Sequence, residues 1–530
     1  MWDQIYRPVA DHLGASAACA ALPVVVLLIS LCVFRLPAWK AGILGLLTSV
    51  IVSVSIYGMP VRLALSAALY GATFGLFPIV WIVLSALALY RLSVDTGQFE
   101  IIKNSVGHLT QDRRIQALLI AFAFGAFIEG ASGFGTPVAV AGAMLSGLGF
   151  SSFEAAAICL LANTAPVAFG AIGTALVTLA GVTDLPLETL SADVGKICAP
   201  VSLLVPSYLI LVMGGPVALR AVFPAALICG VSFAATQFYV SRLAGPYLTD
   251  ILAALASIFA LLLLLTVWRP KDTDAMTPPR ASQMRGAVVL RAWSPYILLV
   301  ALVLLWGYPP IKLLLDKATL VFYWPGLSGT IRRMPPVVAA ATPYPARFTF
   351  NALSASGTAA LFATVAAAVV LRVPLNKFCS TLSRTVRDMA LPTVTIASVL
   401  ALAYVMNYSG ATATLGLALA TTGALFPFFA ALLGWLGVFI TGSDTSANAL
   451  FGNLQVVTAH RLNFDPVLMA AANSSGGVMG KMISLQSISV AAAATGMPPS
   501  DEARLFSFTL KHSIFLAAIV GLIVCAYAYA

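Results

Sequence analysis

Long apolar runs alternate with short polar stretches along the whole chain. A helix needs about 20 apolar residues to cross the roughly 30 Å hydrocarbon core of a bilayer, and such runs recur throughout. The pattern predicts about twelve spans, at Ala15–Phe34, Ala38–Gly58, Leu63–Tyr90, Phe153–Ala180, Ile197–Met213, Val217–Val240, Ile251–Trp268, Pro295–Trp306, Leu353–Leu371, Leu391–Met406, Val467–Gly496 and Leu510–Tyr529. We therefore expect an all-α polytopic membrane protein.

Composition supports this expectation and excludes a soluble protein. Hydrophobic residues make up 60% of the 530 residues and charged residues only 9%, whereas soluble domains average about 25% charged residues. The net charge of +10 comes from basic residues in short loops between apolar runs, which is typical of membrane orientation and not of nucleic-acid binding. The seven cysteines have no CxxC spacing, so we expect no disulfide framework, metal or cofactor.

Loop charges predict the orientation of the chain. Arg35 and Lys40 follow the first span, and Lys103, Arg113 and Arg114 follow the third. Because positive loops stay in the cytoplasm, odd-numbered spans should end inside and the amino terminus should lie outside. The same count places residues 407–412 outside.

Residues 115–150 are predicted to form a re-entrant helical hairpin. The basic loop 269–291 lies in the cytoplasm only if this stretch returns to the side from which it came. Its centre, EGASGFGTP at 129–137, contains glycines and a proline, which oppose a continuous helix.

An internal repeat is the second prediction. GAFIEGAS at 125–132 aligns without gaps with GVFITGSD at 437–444, so Glu129 and Ser132 match Thr441 and Asp444. The predicted organisation comprises N-terminal spans (1–60), a first inverted repeat with hairpin 115–150 (61–215), connecting spans and loops (216–350), a second repeat with hairpin 427–460 (351–497) and a C-terminal span (498–530). Inverted repeats with interrupted helices are typical of secondary transporters.

Two more polar, glycine-rich stretches, 163–174 and 473–487, bring the predicted helix interruptions to four. Irregular backbone at membrane depth must be buried in protein or line a wet cavity, and helix N-termini bind carboxylates well. The candidate substrate-binding residues in these stretches are Ser132, Gly133, Gly135, Thr136, Asn163, Thr164, Ser443, Thr445, Ser446, Asn448, Asn473, Ser474, Lys481 and Gln486.

Three ionisable residues lie inside these apolar stretches. Lys481 either binds the substrate anion or extends to the membrane interface. Glu129 and Asp444 occupy neighbouring positions in the two repeats, and either could carry a coupling proton or simply cap a half-helix.

At these positions the sequence resembles the bacterial lactate permease family, which includes glycolate permeases. The resemblance runs nearly end to end and includes EGASGFG at 129–135, NTAPVAFGA at 163–171, RMPPVV at 333–338 and TGSDTSANALF at 441–451. It implies an inner-membrane symporter that takes up L-lactate, D-lactate and glycolate with protons. Ala175 and Leu485 stand where members of the family usually have proline, which bears on substrate preference.

Several alternatives remain open at this stage. Coupling to sodium, a broader organic-anion substrate range and a channel are compatible with the residues. An intramembrane serine protease would use the GASG sequence at 130–133, but such a mechanism needs a histidine near the serine, and only His512 borders an apolar span. Neither the oligomeric state nor the preference among 2-hydroxy monocarboxylates follows from the sequence.

Overall fold

The computed structural model describes residues 1–107, 109–133, 135–270 and 286–530, and helices form most of it. Up to residue 270 the helices are α1 (Leu13–Cys32), α2 (Ala38–Ser55), α3 (Val61–Phe74), α4 (Trp81–Asp95), α5 (Gln98–Gly107), α6 (Arg113–Gln116), α7 (Gly125–Ala131), α8 (Thr136–Gly147), α9 (Ser152–Ala162), α10 (Gly170–Thr183), α11 (Leu187–Leu243) and α12 (Thr249–Val267). Two π-helical segments, Gly75–Val80 and Ala117–Phe124, join α3 to α4 and α6 to α7.

The remaining helices follow residue 285. They are α13 (Gly286–Gly307), α14 (Pro309–Asp316), α15 (Ser356–Val370), α16 (Leu375–Asp388), α17 (Ala390–Ser409), α18 (Ala411–Leu419), α19 (Phe426–Thr441), α20 (Asp444–Leu462), α21 (Pro466–Lys481), α22 (Leu485–Thr495) and α23 (Glu502–Tyr529). In the described part of the chain, eleven helical stretches are long and apolar enough to cross a membrane, or twelve if the bent pair Ser152–Ala162 and Val167–Thr183 is one span. The predicted polytopic helical fold is confirmed.

Two helix breaks bear on the predicted spans: one lies inside a predicted span, and the other lies between two predicted spans. The span predicted at Leu63–Tyr90 breaks at Phe77, whose backbone is extended, with Pro78 next to it. A proline removes one helical N–H and crowds the preceding turn, so a break is expected here. The predicted pair Ile197–Met213 and Val217–Val240 forms one long element, α11, whose direction changes at Gly214 and Gly215.

The two stretches predicted as hairpins each fold into paired arms. In 113–147, α8 packs against α7 and against the π-helical segment 117–124. The ends also meet, because Arg113 Nη2 lies 2.9 Å from Glu154 Oε2, just beyond the second arm. In 426–462, α19 packs against α20. Re-entry of these hairpins into the membrane stays a prediction.

Corresponding turns recur at a nearly constant spacing. Left-handed residues end matching helices at Gly97 and Gly410, at Gly149 and Asn463, and at Asp184 and Gly496, which are 313, 314 and 312 positions apart. The two halves also pack reciprocally: α8 of the first contacts α22 of the second, and α20 of the second contacts α10 of the first. This reciprocity is what a two-fold relation between repeats produces, and it supports the predicted repeat.

Within the described residues, five short strands that the sequence analysis did not predict cover one end of the bundle. They are β1 (Trp2–Asp3), β2 (Leu320–Tyr323), β3 (Ile331–Arg333), β4 (Thr342–Pro343) and β5 (Arg347–Phe350). β3 pairs in parallel with β1 and antiparallel with β4, while β2 pairs antiparallel with β5. Arg332 holds the amino terminus in place through Asp3, with Nε 2.6 Å from Oδ1.

Candidate functional site

A small cavity lies where the helix breaks of the two halves meet. Its lining is drawn from all four interruptions and comprises Glu129, Gly133, Val167, Gly170, Ala171, Ala175, Gly442, Ser443, Asp444, Thr445, Lys481 and Gln486. The two halves are joined directly beside it, because the Asn448 side-chain amide donates to the Ala175 carbonyl at 3.2 Å. We call this space the central cavity.

The second half supplies a cation. Lys481 is 7% exposed, lies in the last turn of α21, and its Nζ donates to the Gly442 carbonyl at 2.6 Å. Gly442 ends α19 with a φ of +69°, a conformation that favours glycine. The ammonium therefore lies inside the protein at a helix C-terminus, where the macrodipole favours positive charge.

The first half supplies a carboxyl group beside strained backbone. Glu129 is 4% exposed, and its Oε1 fills the space that Gly170 leaves open, since a Cβ on Gly170 would lie 2.6 Å from it. Next to it, Ala171, Ile172 and Gly173 are all left-handed. For a β-branched residue such as Ile172 this conformation costs on the order of 1–3 kcal/mol, and such strain concentrates at functional sites.

Asp444 is held in place by hydrogen bonds. Its Oδ2 accepts from Ser474 Oγ at 2.6 Å and from Asn448 Nδ2 at 3.3 Å. Asn473 donates to Asn448 Oδ1 at 2.9 Å, and Gln455 donates to Asn473 Oδ1 at 3.1 Å. The amide side chains thus form a buried network that fixes the orientation of one carboxylate.

The fourth interruption is shorter than the sequence analysis predicted. Residues 473–481 belong to the regular helix α21, and the break is confined to 482–484, where Ser484 caps α22 by accepting from Ser487 N at 3.2 Å. The glycines of α21 serve close packing instead, because a Cβ on Gly476 would lie 1.9 Å from the Ala431 carbonyl oxygen of α19. A glycine-rich sequence is compatible with either role.

The structure brings together about half of the predicted site residues. Of these residues, Glu129, Gly133, Ser443, Asp444, Thr445, Lys481 and Gln486 line the central cavity. The others lie next to it or one layer behind: Ser132, Gly135, Thr136, Asn163, Thr164, Ser446, Asn448, Asn473 and Ser474. Ser132 and Thr164 donate to carbonyls of their own helices, and Ser446 N donates to the Ser443 cap at 3.2 Å.

Sequence reasoning missed two neighbours of Glu129. Gly170 gives its carboxyl group room, and the signal was present in the glycine-rich stretch 163–174. Asp250, in the first turn of α12, is 1% exposed, and neither carboxylate oxygen has a hydrogen-bond partner in the described part of the chain. The Cβ atom of Asp250 lies 2.8 Å from the position that a Cβ on Gly130 would take. Its position at the edge of an apolar run made it look like an ordinary loop residue.

The chemistry of the central cavity suits a small anion. The cavity volume of about 60 Å³ leaves room for a small ligand. Helices α20 and α22 begin at its wall, so the N–H donors of their first turns and the positive ends of their macrodipoles lie there. Together with Lys481 these donors match a carboxylate with few other atoms.

Among the described residues, no histidine lies within hydrogen-bond reach of Ser132. Its hydroxyl donates to the Ile128 carbonyl at 3.0 Å, and His512 Nδ1 lies 2.6 Å from the Tyr208 hydroxyl. A serine nucleophile needs a base within hydrogen-bond reach, so this arrangement does not support the protease alternative.

Many spans around a central cavity that is lined by polar residues and built from broken helices define a membrane transporter. The chain matches the L-lactate permease family over residues 16–530 and belongs to that family. It is 44% identical to glycolate permease GlcA of Escherichia coli (strain K12), covering 100% of this chain and 98% of that one.

Other relatives are similar over nearly their full length. The L-lactate permease of Bacillus subtilis (strain 168) is 45% identical, covering 98% of this chain and 97% of that one, and that of Escherichia coli (strain K12) is 42% identical over 100% and 98%. Among solved structures, the YdaH transporter of Alcanivorax borkumensis covers 86% of each chain with a TM-score of 0.45 and 16% identity, too distant to support an argument. The chain is therefore a multi-pass membrane transporter and not an enzyme.

Proposed function

We propose that the protein takes up L-lactate and related 2-hydroxy monocarboxylates, D-lactate and glycolate, together with protons across the bacterial inner membrane. Family membership and relatives named L-lactate permease and glycolate permease support the substrate class. The single observation that supports coupling of uptake to protons is that Lys481, Asp444 and Glu129 line one small central cavity.

Lys481 and the starts of α20 and α22 bind the substrate carboxylate. The ammonium already donates to the Gly442 carbonyl, so it is held in place and has further protons to donate. Ser443, Thr445 and Gln486 line the same space and supply the polar groups that a 2-hydroxyl group needs. A site built to hydrogen-bond a hydroxyl rejects analogues that lack it.

Charge balance makes the proton necessary. With both acids ionised, the single lysine leaves the central cavity with one net negative charge. A carboxylate alone would raise this to two negative charges in a poorly hydrated space, which is very costly. A proton that arrives with the anion restores the charge of the empty cavity, so only the empty and the fully loaded protein can change conformation easily.

Glu129 is the better proton carrier of the two acids. Each acid has one oxygen without a hydrogen-bond partner in the described part of the chain, Glu129 Oε2 and Asp444 Oδ1, but the other oxygen of Asp444 is held by Ser474 and Asn448. We assign the proton to Glu129, and the fixed orientation of Asp444 to the shape of the anion site.

The test is uphill uptake by purified protein in liposomes. An imposed pH gradient, acid outside, should accumulate radiolabelled L-lactate, and a protonophore should abolish the accumulation. A sodium gradient at equal pH serves as the comparison. Accumulation driven by sodium alone would establish the sodium-coupled alternative, and equilibration without accumulation would indicate a channel.

A further inference from the structure

A second, larger cavity lies at the strand-covered end of the bundle, and the proposed mechanism does not use it. Its volume is about 720 Å³. Its wall comes from the amino terminus, the strand region and the ends of α10, α17 and α20. We call it the vestibule. Loop charges place residues 407–412, which line part of it, on the outer face of the membrane.

Two arginines without ion-pair partners give the vestibule its charge. Arg333 and Arg347 line it, and within the described ranges neither lies within 4 Å of an acid. Arg333 Nε is buried and makes no hydrogen bond there. The other charged or titratable lining groups, apart from tyrosines, are Asp184 and His460. Two fixed positive charges against one carboxylate leave the vestibule net positive.

Tyrosines hold the arginine-bearing segment against the helices. The hydroxyls of Tyr70 and Tyr408 donate to the carbonyls of Arg347 and Pro345 at 2.8 and 2.7 Å. Arg333 lies over the Tyr344 ring at 4.9 Å, which orients its guanidinium group. Burial raises the pKa of Tyr344 to about 12, so its hydroxyl stays neutral at physiological pH.

The vestibule and the central cavity share two helices. Helix α10 contributes Ala175 to the central cavity and Gly181 to the vestibule, and α20 contributes Thr445 and Asn453 in the same way. A helix rises 1.5 Å per residue, so the two spaces are about 9 to 12 Å apart. Between them Gly452 packs against Leu179 and Val182, which closes the direct route.

We propose that the vestibule is a second, outer anion site, in which Arg333 and Arg347 bind the carboxylate of the substrate before it reaches the central cavity. The inference rests on the proposed function for the identity of the anion. Guanidinium groups pair with carboxylates in a fixed fork geometry, and a cleft with a net positive charge raises the local concentration of anions, by about tenfold where the field is strong. No lining residue of the central cavity is needed for this capture.

A labelling experiment on purified protein tests the site without requiring transport. Ala339 is exposed and lines the vestibule, so a cysteine placed there in Ala339→Cys can be modified by methanethiosulfonates and read by mass spectrometry. The quantity measured is the ratio of the labelling rate of the anionic reagent to that of the cationic one. This ratio should be about tenfold higher for Ala339→Cys than for a small thiol in solution. Adding Arg333→Gln should lower this ratio several-fold, and Arg333→Lys should preserve it.

The matched control is Arg332→Gln. This variant removes one positive charge from the neighbouring residue, which pairs with Asp3 and does not line the vestibule. Added to Ala339→Cys, it should leave the ratio of anionic to cationic labelling rates close to that of Ala339→Cys alone.

Sodium L-lactate gives the second readout. At tens of millimolar, compared with sodium chloride at the same concentration, it should slow labelling at least twofold, and Arg333→Gln with Arg347→Gln should remove this protection. Lys481→Ala should retain the protection. A charge ratio unaffected by Arg333→Gln, or protection lost in Lys481→Ala but kept in the arginine variant, would overturn the outer site. If instead the wild-type protein failed to accumulate lactate, the proposed function would fail while the labelling result still stood.

Discussion

Glu129 and Asp444 each occupy space that a glycine leaves open. A Cβ on Gly170 would lie 2.6 Å from Glu129 Oε1, and a Cβ on Gly477 would lie 2.4 Å from Asp444 Oδ1. Contacts this short force one partner to move. Each acid therefore depends on a neighbouring glycine for the space that its carboxyl group occupies.

Gly170→Ala should lower L-lactate uptake at least tenfold. Its φ of −62° suits alanine, so the backbone can remain as it is, while the methyl group displaces the Glu129 carboxyl group. Gly147→Ala is the control, because nothing lies within 4 Å of its Cβ. Uptake by both variants at the wild-type rate, with equal amounts of protein in the membrane, would show that the placement of Glu129 is unimportant.

Asp250→Asn tests whether the buried acid beside the first hairpin takes part in transport. A carboxyl group buried without partners is kept in its neutral form, and asparagine is neutral and of similar shape, so the melting temperature should stay within a few degrees of wild type. Because the residue adjoins the hairpin that carries Glu129, uptake should fall several-fold. Asp388→Asn, at a half-exposed residue that pairs with Arg91, should change neither quantity appreciably. Unchanged uptake in Asp250→Asn would remove Asp250 from the transport mechanism.

At the scale of elements, hairpin geometry predicts which residues share a side of the membrane. Gln111 and Ser151 are exposed at the two ends of the first hairpin, and Thr421 and Arg461 are exposed at the ends of the second. Single cysteines at 111 and 151 should react only from the cytoplasm, and those at 421 and 461 only from outside. An impermeant thiol reagent applied to intact cells and to inverted vesicles distinguishes the two cases. Opposite sides for 111 and 151 would mean that the first hairpin crosses the membrane.

Close packing of α19 on α21 should depend on glycine. Gly476→Ala would place a methyl group 1.9 Å from the Ala431 carbonyl oxygen, and the helices would have to separate. Overpacking of this kind costs typically about 1–3 kcal/mol. We expect a lower melting temperature of the purified protein, with Gly147→Ala unchanged as the control. Equal melting temperatures would indicate that the two helices separate at little cost.

The sequence predicted most spans because bilayer thickness imposes a long apolar pattern that local residues reveal. It located the breaks at 132–135 and 442–443 because glycine next to polar residues interrupts a helix there. It misjudged 473–481, since the same glycines are used for contact with a helix distant in sequence. The strands, the network around Asp444 and the vestibule arise from contacts between distant segments, which periodicity does not encode.

For the whole molecule, the central claim is a division of labour between two halves. The first half contributes Glu129 and the second contributes Lys481 to the same cavity. If the first carries the proton and the second binds the anion, the two functions should separate by mutation.

The most direct measurement compares two modes of L-lactate movement in liposomes: accumulation driven by a pH gradient, and exchange of labelled for unlabelled substrate at equal pH. Glu129→Gln should lose accumulation and keep exchange, because the neutral amide mimics the protonated acid. Lys481→Ala should lose both, because the anion no longer binds. Proton-driven accumulation that persists in Glu129→Gln, or exchange that persists in Lys481→Ala, would contradict the account.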